Sequence, residues 1–237
     1  MMFLEKYYTE NKDNILFSRQ QASGFAKEIA DDFNPLHDVD AKLFCVPGDL
    51  LFAVVLAKYG LNQKMRFVFS GMVGDGTALH LPETSANTLN IRDDNEKQYL
   101  SVERDGENTR NQELISNLTR NYVRFSGHTF PDILVPLMSD NNVMINPGRP
   151  LVIYESMEIN LQRLDVEDPQ LKFTHSVLEA KGKKASVRLE FSLNASGEEI
   201  GTGTKYMSLR GLREFEAGIV KQMVDQYSTH KQDYFAK

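Results

Sequence analysis

The most constraining feature of this 237-residue sequence is the segment PGDLLFAVVLAKYG, which begins at Pro47. After the Pro-Gly turn signal, Asp49 is a favourable N-cap and Gly60 is a favourable helix stop. The helix predicted between them is apolar on every side, so every side of it must be buried. Its uninterrupted apolar run covers residues 50–57, far short of the roughly 20 residues that span a bilayer. The rest of the chain must therefore wrap around this helix.

Strand-like segments separated by turn residues follow the buried helix, and the same order then occurs a second time. A short apolar segment, TFPDILVPLM, predicts a helix interrupted at Pro136, and four long strand-like segments come after it. In the third of these, Val187, Leu189, Phe191 and Leu193 alternate with polar residues, which is typical of a sheet with one solvated face. The pattern predicts an α+β fold in which antiparallel sheets wrap around buried central helices.

This repeat also predicts how the chain is organised. Residues 1–108 are expected to form the first half and residues 109–228 the second, with the two halves packed as one unit. A final helix is expected from Leu212 to about Tyr227. Residues 229–237 are expected to fray, because terminal segments without apolar periodicity are seldom held in place.

Composition excludes several classes of partner. The net charge of −6 argues against general nucleic-acid binding, which needs a clustered basic face. Cys45 is the only cysteine, which excludes an intramolecular disulfide and argues against a thiolate metal site. The first residues, MMFLEKYYTENKDN, have no secretory pattern of an apolar stretch before small residues. The chain is therefore predicted to be cytoplasmic, with no nucleic-acid or membrane partner.

The sequence DDFNPLH, residues 31–37, lies a short segment before the buried helix and holds the main candidates for chemistry. Asp32 and His37 are suited to proton transfer, but Asp and Asn are also common in turns, where they bond to the backbone. A calcium loop beginning at Asp32 would need glycine at its sixth position and glutamate at its twelfth. The sequence has His37 and Leu43 there, so a calcium site is not predicted.

In the order of Asp32, Asn34, Pro35 and His37, this motif resembles the hydratase motif of the MaoC-like, (R)-specific enoyl-CoA hydratases. Further along, FVFSGMVGDGTALHLP is similar to the strand, Gly-Asp turn and next strand of that family. The chain as a whole is also similar to a bacterial family of comparable length. The resemblance implies a double hotdog fold and the hydration of a 2-enoyl thioester, or the reverse dehydration of a 3-hydroxyacyl thioester.

The resemblance also implies roles for particular residues. Asp32 and His37 would be the catalytic acid–base pair, with one water between them. Asn34 would orient the loop, and the amide of Gly48, at the positive end of the helix, would form an oxyanion hole. Coenzyme A or acyl carrier protein would carry the acyl substrate, without a metal or redox cofactor, and the fold leaves room for a homodimer.

Two departures from the family pattern keep other functions open. Pro47 stands where the family has a histidine, and the carboxylate of Asp49 could occupy the helix amides and repel an oxyanion. These departures favour a catalytically silent acyl-thioester-binding or regulatory protein on the same fold. A thioesterase is a third alternative, because one fold can host several chemistries.

Overall fold

The computed structural model describes residues 2–11 and 14–236. Short 3₁₀ helices cover Met2–Tyr7 and Pro35–His37. The α-helices are α1 (Arg19–Glu28), α2 (Gly48–Tyr59), α3 (Gln112–Gly127), α4 (Thr129–Asp132), α5 (Leu134–Asp140) and α6 (Ala217–Phe235). The strands are β1 (Thr9–Asn11), β2 (Asn14–Leu16), β3 (Leu61–Phe69), β4 (Leu79–His80), β5 (Thr88–Arg92), β6 (Gln98–Thr109), β7 (Val143–Met144), β8 (Leu151–Leu161), β9 (Gln170–Lys181), β10 (Lys184–Ala195), β11 (Glu198–Arg210) and β12 (Arg213–Glu214).

Ten strands form one antiparallel sheet in the order β1-β2-β4-β5-β6-β3-β8-β11-β10-β9. The pairing of β3 with β8, in which Phe67 lies opposite Met157, joins the earlier strands of the chain to the later ones. Strands β7 and β12 pair separately. The mixed helix-and-sheet architecture with a large antiparallel sheet is as predicted, whereas the division into two hotdog halves stays a prediction.

Helix α2 lies in the main core, as its sequence requires. Its apolar side chains are buried on all sides, and Phe52 packs against Phe67 of β3 and Tyr122 of α3 with ring centroids 5.1 and 4.8 Å apart. Each fully buried side chain of this size contributes roughly 1.5–3 kcal/mol relative to an exposed one. The sheet and α3 therefore hold α2 in place, and with it the start of the helix at Gly48.

A second, smaller core lies under the later strands. It includes residues of α5, α6, β7, β9, β10 and β11. Its fully or nearly fully buried members include Leu134, Met138, Leu189, Leu209 and Val220. This core holds α6 against the later strands of the large sheet.

Two helix predictions were wrong in their boundaries. The segment TFPDILVPLM is interrupted before Pro136, because Phe130 has the non-helical φ and ψ values of −112° and 126°, and Ile133 separates α4 from α5. Proline is tolerated there because Pro136 lies in the first turn of α5, where an N–H would have no acceptor in the helix. The final helix begins at Ala217 rather than Leu212, since the chain first forms β12.

The predicted fraying from residue 229 is also wrong within the described residues, because α6 continues to Phe235. Its last turns are held by contacts with the motif loop. Lys231 Nζ lies 2.5 Å from Asp31 Oδ2, and the ring of Tyr234 packs against Phe33. These tertiary contacts stabilise turns that local sequence alone would leave frayed.

Candidate functional site

A cavity of about 750 Å³ lies beside the motif loop and the start of α2. All four predicted site residues, Asp32, Asn34, His37 and Gly48, line it. Much of the remaining wall is apolar and comes from both parts of the chain. It includes Leu51, Phe69, Val73, Phe130, Leu134, Ile145 and Met207. The cavity therefore combines a few polar groups with a long apolar surface, which is typical of a small-molecule site.

The motif loop is held by its own side chains. Asp32 Oδ1 accepts a hydrogen bond from the Asn34 amide at 2.9 Å, and Asn34 Oδ1 accepts one from the Leu36 amide at 3.1 Å. Asn34 thereby caps the 3₁₀ helix Pro35–His37, and Pro35 begins that helix with the φ it already prefers. The loop-orienting contact predicted for Asn34 is present, while its importance for catalysis stays a prediction.

His37 is placed by a hydrogen bond to the backbone. Its Nδ1 lies 2.8 Å from the carbonyl oxygen of Cys45, and because a carbonyl oxygen only accepts, Nδ1 is the donor. The other ring nitrogen, Nε2, lies 3.6 Å from Asp32 Oδ2. That distance is too long for a direct hydrogen bond, but it allows electrostatic attraction and a water that contacts both groups.

The surroundings of His37 favour its protonated form. His37 is only 8% exposed, and this burial lowers its pKa. The Cys45 side chain, whose Sγ lies 3.8 Å from Nδ1, the negative charge of Asp32 and the bond to the Cys45 carbonyl together outweigh that effect and raise the pKa of His37 to about 9. At neutral pH His37 is therefore an imidazolium, which makes it the proton donor of the pair.

The first turn of α2 begins at Gly48 without a side-chain cap. The Leu50 amide donates a hydrogen bond to the Pro47 carbonyl at 3.0 Å. The amides of Gly48 and Asp49 come before Leu50 and have no acceptor within the helix. A Cβ atom at Gly48 would lie 2.9 Å from Tyr154 Cδ1 and 3.2 Å from Phe69 Cε1. Glycine is therefore required here because the two rings pack directly against the backbone.

Asp49 is not the N-cap of α2, which corrects the prediction from sequence. Pro47 occupies the cap position, and the Asp49 carboxylate turns away from the helix amides. Its Oδ2 accepts a hydrogen bond from Ser126 Oγ at 2.5 Å, and Lys205 Nζ donates to the same Ser126 Oγ at 2.5 Å. The three residues are 5–6% exposed, so the structure buries a carboxyl group, a hydroxyl group and an amino group in one hydrogen-bonded network.

Burial affects the two charged members of this network in opposite directions. Burial raises the pKa of the Asp49 carboxyl, against the positive charge of Lys205 and the hydrogen bond from Ser126, which lower it. Burial lowers the pKa of the Lys205 ammonium, against the charges of Asp49 and Asp32, which raise it. Lys205 Nζ also lies 4.4 Å from the centre of the Tyr154 ring, a distance at which the ring attracts a cation.

Ser126 and Lys205 were not among the residues predicted from sequence. Ser126 lies near the end of α3, 77 residues from Asp49, and no local pattern connects them. The sequence of β11 does carry a signal for Lys205, because it shares the alternation of the buried Met207 and Leu209. A lysine at an inward-facing position of a strand indicates a buried charge that needs a partner.

Helix α6 closes one side of the motif loop. The Tyr227 hydroxyl accepts a hydrogen bond from the Phe33 amide at 3.1 Å and donates one to the Asp31 carbonyl at 3.4 Å. The Phe33 ring contacts the rings of Tyr227 and His230 edge-on. Because Asp32 lies between Asp31 and Phe33, these contacts fix the backbone that carries the predicted base.

Substitution of Tyr227 by phenylalanine is therefore expected to lower the free energy of unfolding by about 1 kcal/mol, because two backbone groups lose their partner. Chemical denaturation of the parent and the variant checks this expectation. Tyr206→Phe, at a half-buried position of β11, serves as the control. An equal effect of the two substitutions would contradict a specific role of α6 at the motif.

Within residues 2–11 and 14–236, no group of three or more His, Cys, Asp or Glu side chains is arranged so that it could hold a metal ion. Over the same residues, no helix has the length and apolar character needed to cross a membrane. The predictions on cofactors and on cellular location remain predictions.

Comparison with known families gives one match that covers most of the chain. The family described as "Protein of unknown function (DUF3581)" matches residues 2–218. The chain belongs to this family. A search of curated proteins finds no match.

Solved structures show remote similarity to this member of the DUF3581 family. A tesB protein from Mycobacterium avium subsp. paratuberculosis is 10% identical with a TM-score of 0.47, over 87% of this chain and 96% of the other. A MaoC-like dehydratase is 10% identical with a TM-score of 0.46, over 86% and 98%. A conserved protein with a hot dog fold from Alicyclobacillus acidocaldarius is 8% identical with a TM-score of 0.46, over 89% and 98%. At these values, the chemistry of the DUF3581 site has to be interpreted from its own residues.

Proposed function

We propose that this protein is a hydratase or dehydratase that acts on 2-enoyl or 3-hydroxyacyl thioesters, on a double hotdog fold. The observation that carries the proposal is the approach of His37 Nε2 to within 3.6 Å of Asp32 Oδ2 at the wall of an apolar cavity. The same cavity is lined by Gly48 at the uncapped start of a buried helix. A proton acceptor, a proton donor and a candidate oxyanion site thus border one cavity.

In the hydration direction, the Asp32 carboxylate takes a proton from water while the water oxygen forms a bond to C3 of the enoyl group. The electron pair of the C2–C3 double bond moves toward the thioester carbonyl, whose oxygen becomes an enolate held by the Gly48 amide. The enolate then takes a proton at C2 from His37 Nε2. Transfer of a proton from Asp32 to His37 restores the starting state, and one water has been added.

The apolar wall would hold the acyl chain, and the thioester would lie at the polar end of the cavity. Coenzyme A or acyl carrier protein would carry the substrate, as the sequence resemblance implies. No redox step occurs in this reaction, because water is added or removed without a change in the overall oxidation level. The residues of the site supply both proton-transfer groups themselves.

A catalytically silent acyl-thioester-binding protein is the second candidate. It is favoured by the carboxylate of Asp49, which follows Gly48 directly and whose negative charge opposes an enolate at the same helix end. Hydration of crotonyl-CoA, followed by the loss of enone absorbance, distinguishes the two functions. Loss of absorbance supports the lyase, whereas binding of crotonyl-CoA without any loss of absorbance supports the silent protein.

The raised pKa of His37 also predicts a dependence of stability on pH. A group whose pKa is higher in the folded state stabilises the fold below its unfolded value of 6.5, and this contribution is lost as pH rises to about 9. The free energy of unfolding of the parent, relative to His37→Gln, is expected to fall by about 3 kcal/mol over that interval. Denaturation at several pH values checks this. A difference that stays constant or rises with pH would contradict the protonated state assigned to His37.

A further inference from the structure

The network of Asp49, Ser126 and Lys205 has no role in the proton transfers proposed above, although all three residues line the cavity. It joins three separate elements, because Asp49 lies on α2, Ser126 on α3 and Lys205 on β11. Asp49 and Lys205 are joined only through the Ser126 hydroxyl, and buried groups of opposite charge add little net stability compared with apolar side chains of the same volume. Packing alone therefore gives no reason to place a lysine here.

The position of Asp49 gives such a reason. Asp49 follows Gly48, whose amide is the proposed donor to the enolate oxygen. Asp49 Oδ1 is buried and has no hydrogen-bond partner among the residues that the structure describes. Negative charge carried by Asp49 beside the donor would act on the enolate more strongly at this buried position than in solution.

We propose that Lys205 is a positioning residue that offsets the charge of Asp49 through Ser126, and so keeps the Gly48 end of α2 able to stabilise an enolate. This inference rests on the proposed function, since it assumes that a thioester carbonyl binds at Gly48. Lys205 does not touch the substrate in this account. It acts by holding the Asp49 carboxylate away from the helix amides and by balancing its charge.

The test uses acetoacetyl-CoA, whose enolate has its own absorbance band and which requires no turnover. The parent is expected to raise the enolate fraction of bound acetoacetyl-CoA above that in buffer. Lys205→Met is expected to lower the enolate–keto ratio by about tenfold or more, because one charge in a desolvated site is worth at least this much. Lys184→Met, at an exposed position of the neighbouring strand β10, is expected to leave the ratio unchanged.

The double variant Asp49→Asn/Lys205→Met separates charge from structure. Removing both charges is expected to restore the enolate ratio to within a few-fold of the parent, a recovery that a purely structural role of Lys205 would not produce. The single variant Asp49→Asn retains Lys205 and is expected to keep or increase the ratio. It decides the question even if Lys205→Met fails to fold.

The outcomes for this inference and for the proposed function differ. If the enolate ratios follow the expected order but the parent does not hydrate crotonyl-CoA, the lyase proposal fails and the role of Lys205 stands. Hydration by the parent together with an enolate ratio that Lys205→Met leaves unchanged would overturn the role of Lys205 alone. A lower ratio in Asp49→Asn, no recovery in the double variant, or no enolate signal in the parent would also overturn it.

Discussion

Replacing His37 with alanine is expected to lower kcat for hydration of crotonyl-CoA by about 10²–10⁴-fold, the range for loss of a positioned acid–base group. The imidazole is held by the Cys45 carbonyl, so that Nε2 faces Asp32 at 3.6 Å. Alanine removes the proton donor and leaves the apolar wall of the cavity in place. KM is therefore expected to change much less than kcat, and steady-state kinetics at several crotonyl-CoA concentrations separates the two.

Asp32→Asn is expected to have an effect of similar size, because it removes the base while retaining the hydrogen bond from the Asn34 amide. The matched control is the exposed pair of His80 and Asp94, whose Nε2 and Oδ1 atoms lie 2.6 Å apart. His80→Ala removes a histidine with a carboxylate partner outside the cavity, so its kcat should equal that of the parent. Equal losses in His37→Ala and His80→Ala would show that the motif has no special role.

Gly127→Ala is expected to decrease the free energy of unfolding by about 1–3 kcal/mol. A Cβ atom at Gly127 would overlap the carbonyl oxygen of Ala30 and lie 3.2 Å from the amide nitrogen of Asp32. Both contacts involve backbone, which cannot rotate away as a flexible side chain can. Helix α3 would have to move away from the motif, so kcat should also fall.

Gly24→Ala is the matched control, because Gly24 is also helical and its added Cβ would meet Tyr7 Cε1 at an ordinary 3.5 Å. Alanine favours a helix interior over glycine by about 0.5–1 kcal/mol, so this variant is expected to be as stable as the parent or more stable. Thermal or chemical denaturation of both variants measures the difference. A Gly127→Ala protein with the stability and activity of the parent would contradict the close packing of α3 on the motif.

The features of the fold and of the site that could be predicted from sequence are those that depend on local residue patterns. The buried helix α2 follows from an apolar run on every face, and the antiparallel strands from alternation such as that of Val187 and Leu189. The loop geometry of Asn34 and Pro35 also follows from local chemistry, because each residue limits the backbone next to it. These features need no knowledge of distant residues.

The parts that could not be predicted depend on contacts between distant elements. The Asp49 side chain points toward Ser126, which also accepts a hydrogen bond from Lys205, and it does not cap the start of α2. The ordered end of α6 depends on Asp31 and Phe33, far earlier in the chain. A single sequence does not show these distant contacts. Local preferences alone therefore predicted that Asp49 caps the helix and that the C-terminal tail frays.

The proposed reaction is the addition of water to a 2-enoyl thioester by an imidazole and a carboxylate in this cavity. The most direct test is incubation of the purified protein with crotonyl-CoA in D₂O, with the products identified by NMR and mass spectrometry. The expected product is 3-hydroxybutyryl-CoA with deuterium incorporated at C2, and no free thiol is released. Crotonate with free coenzyme A would indicate a thioesterase, and unchanged crotonyl-CoA bound to the protein would indicate a silent binding protein; neither result is compatible with the proposed hydratase.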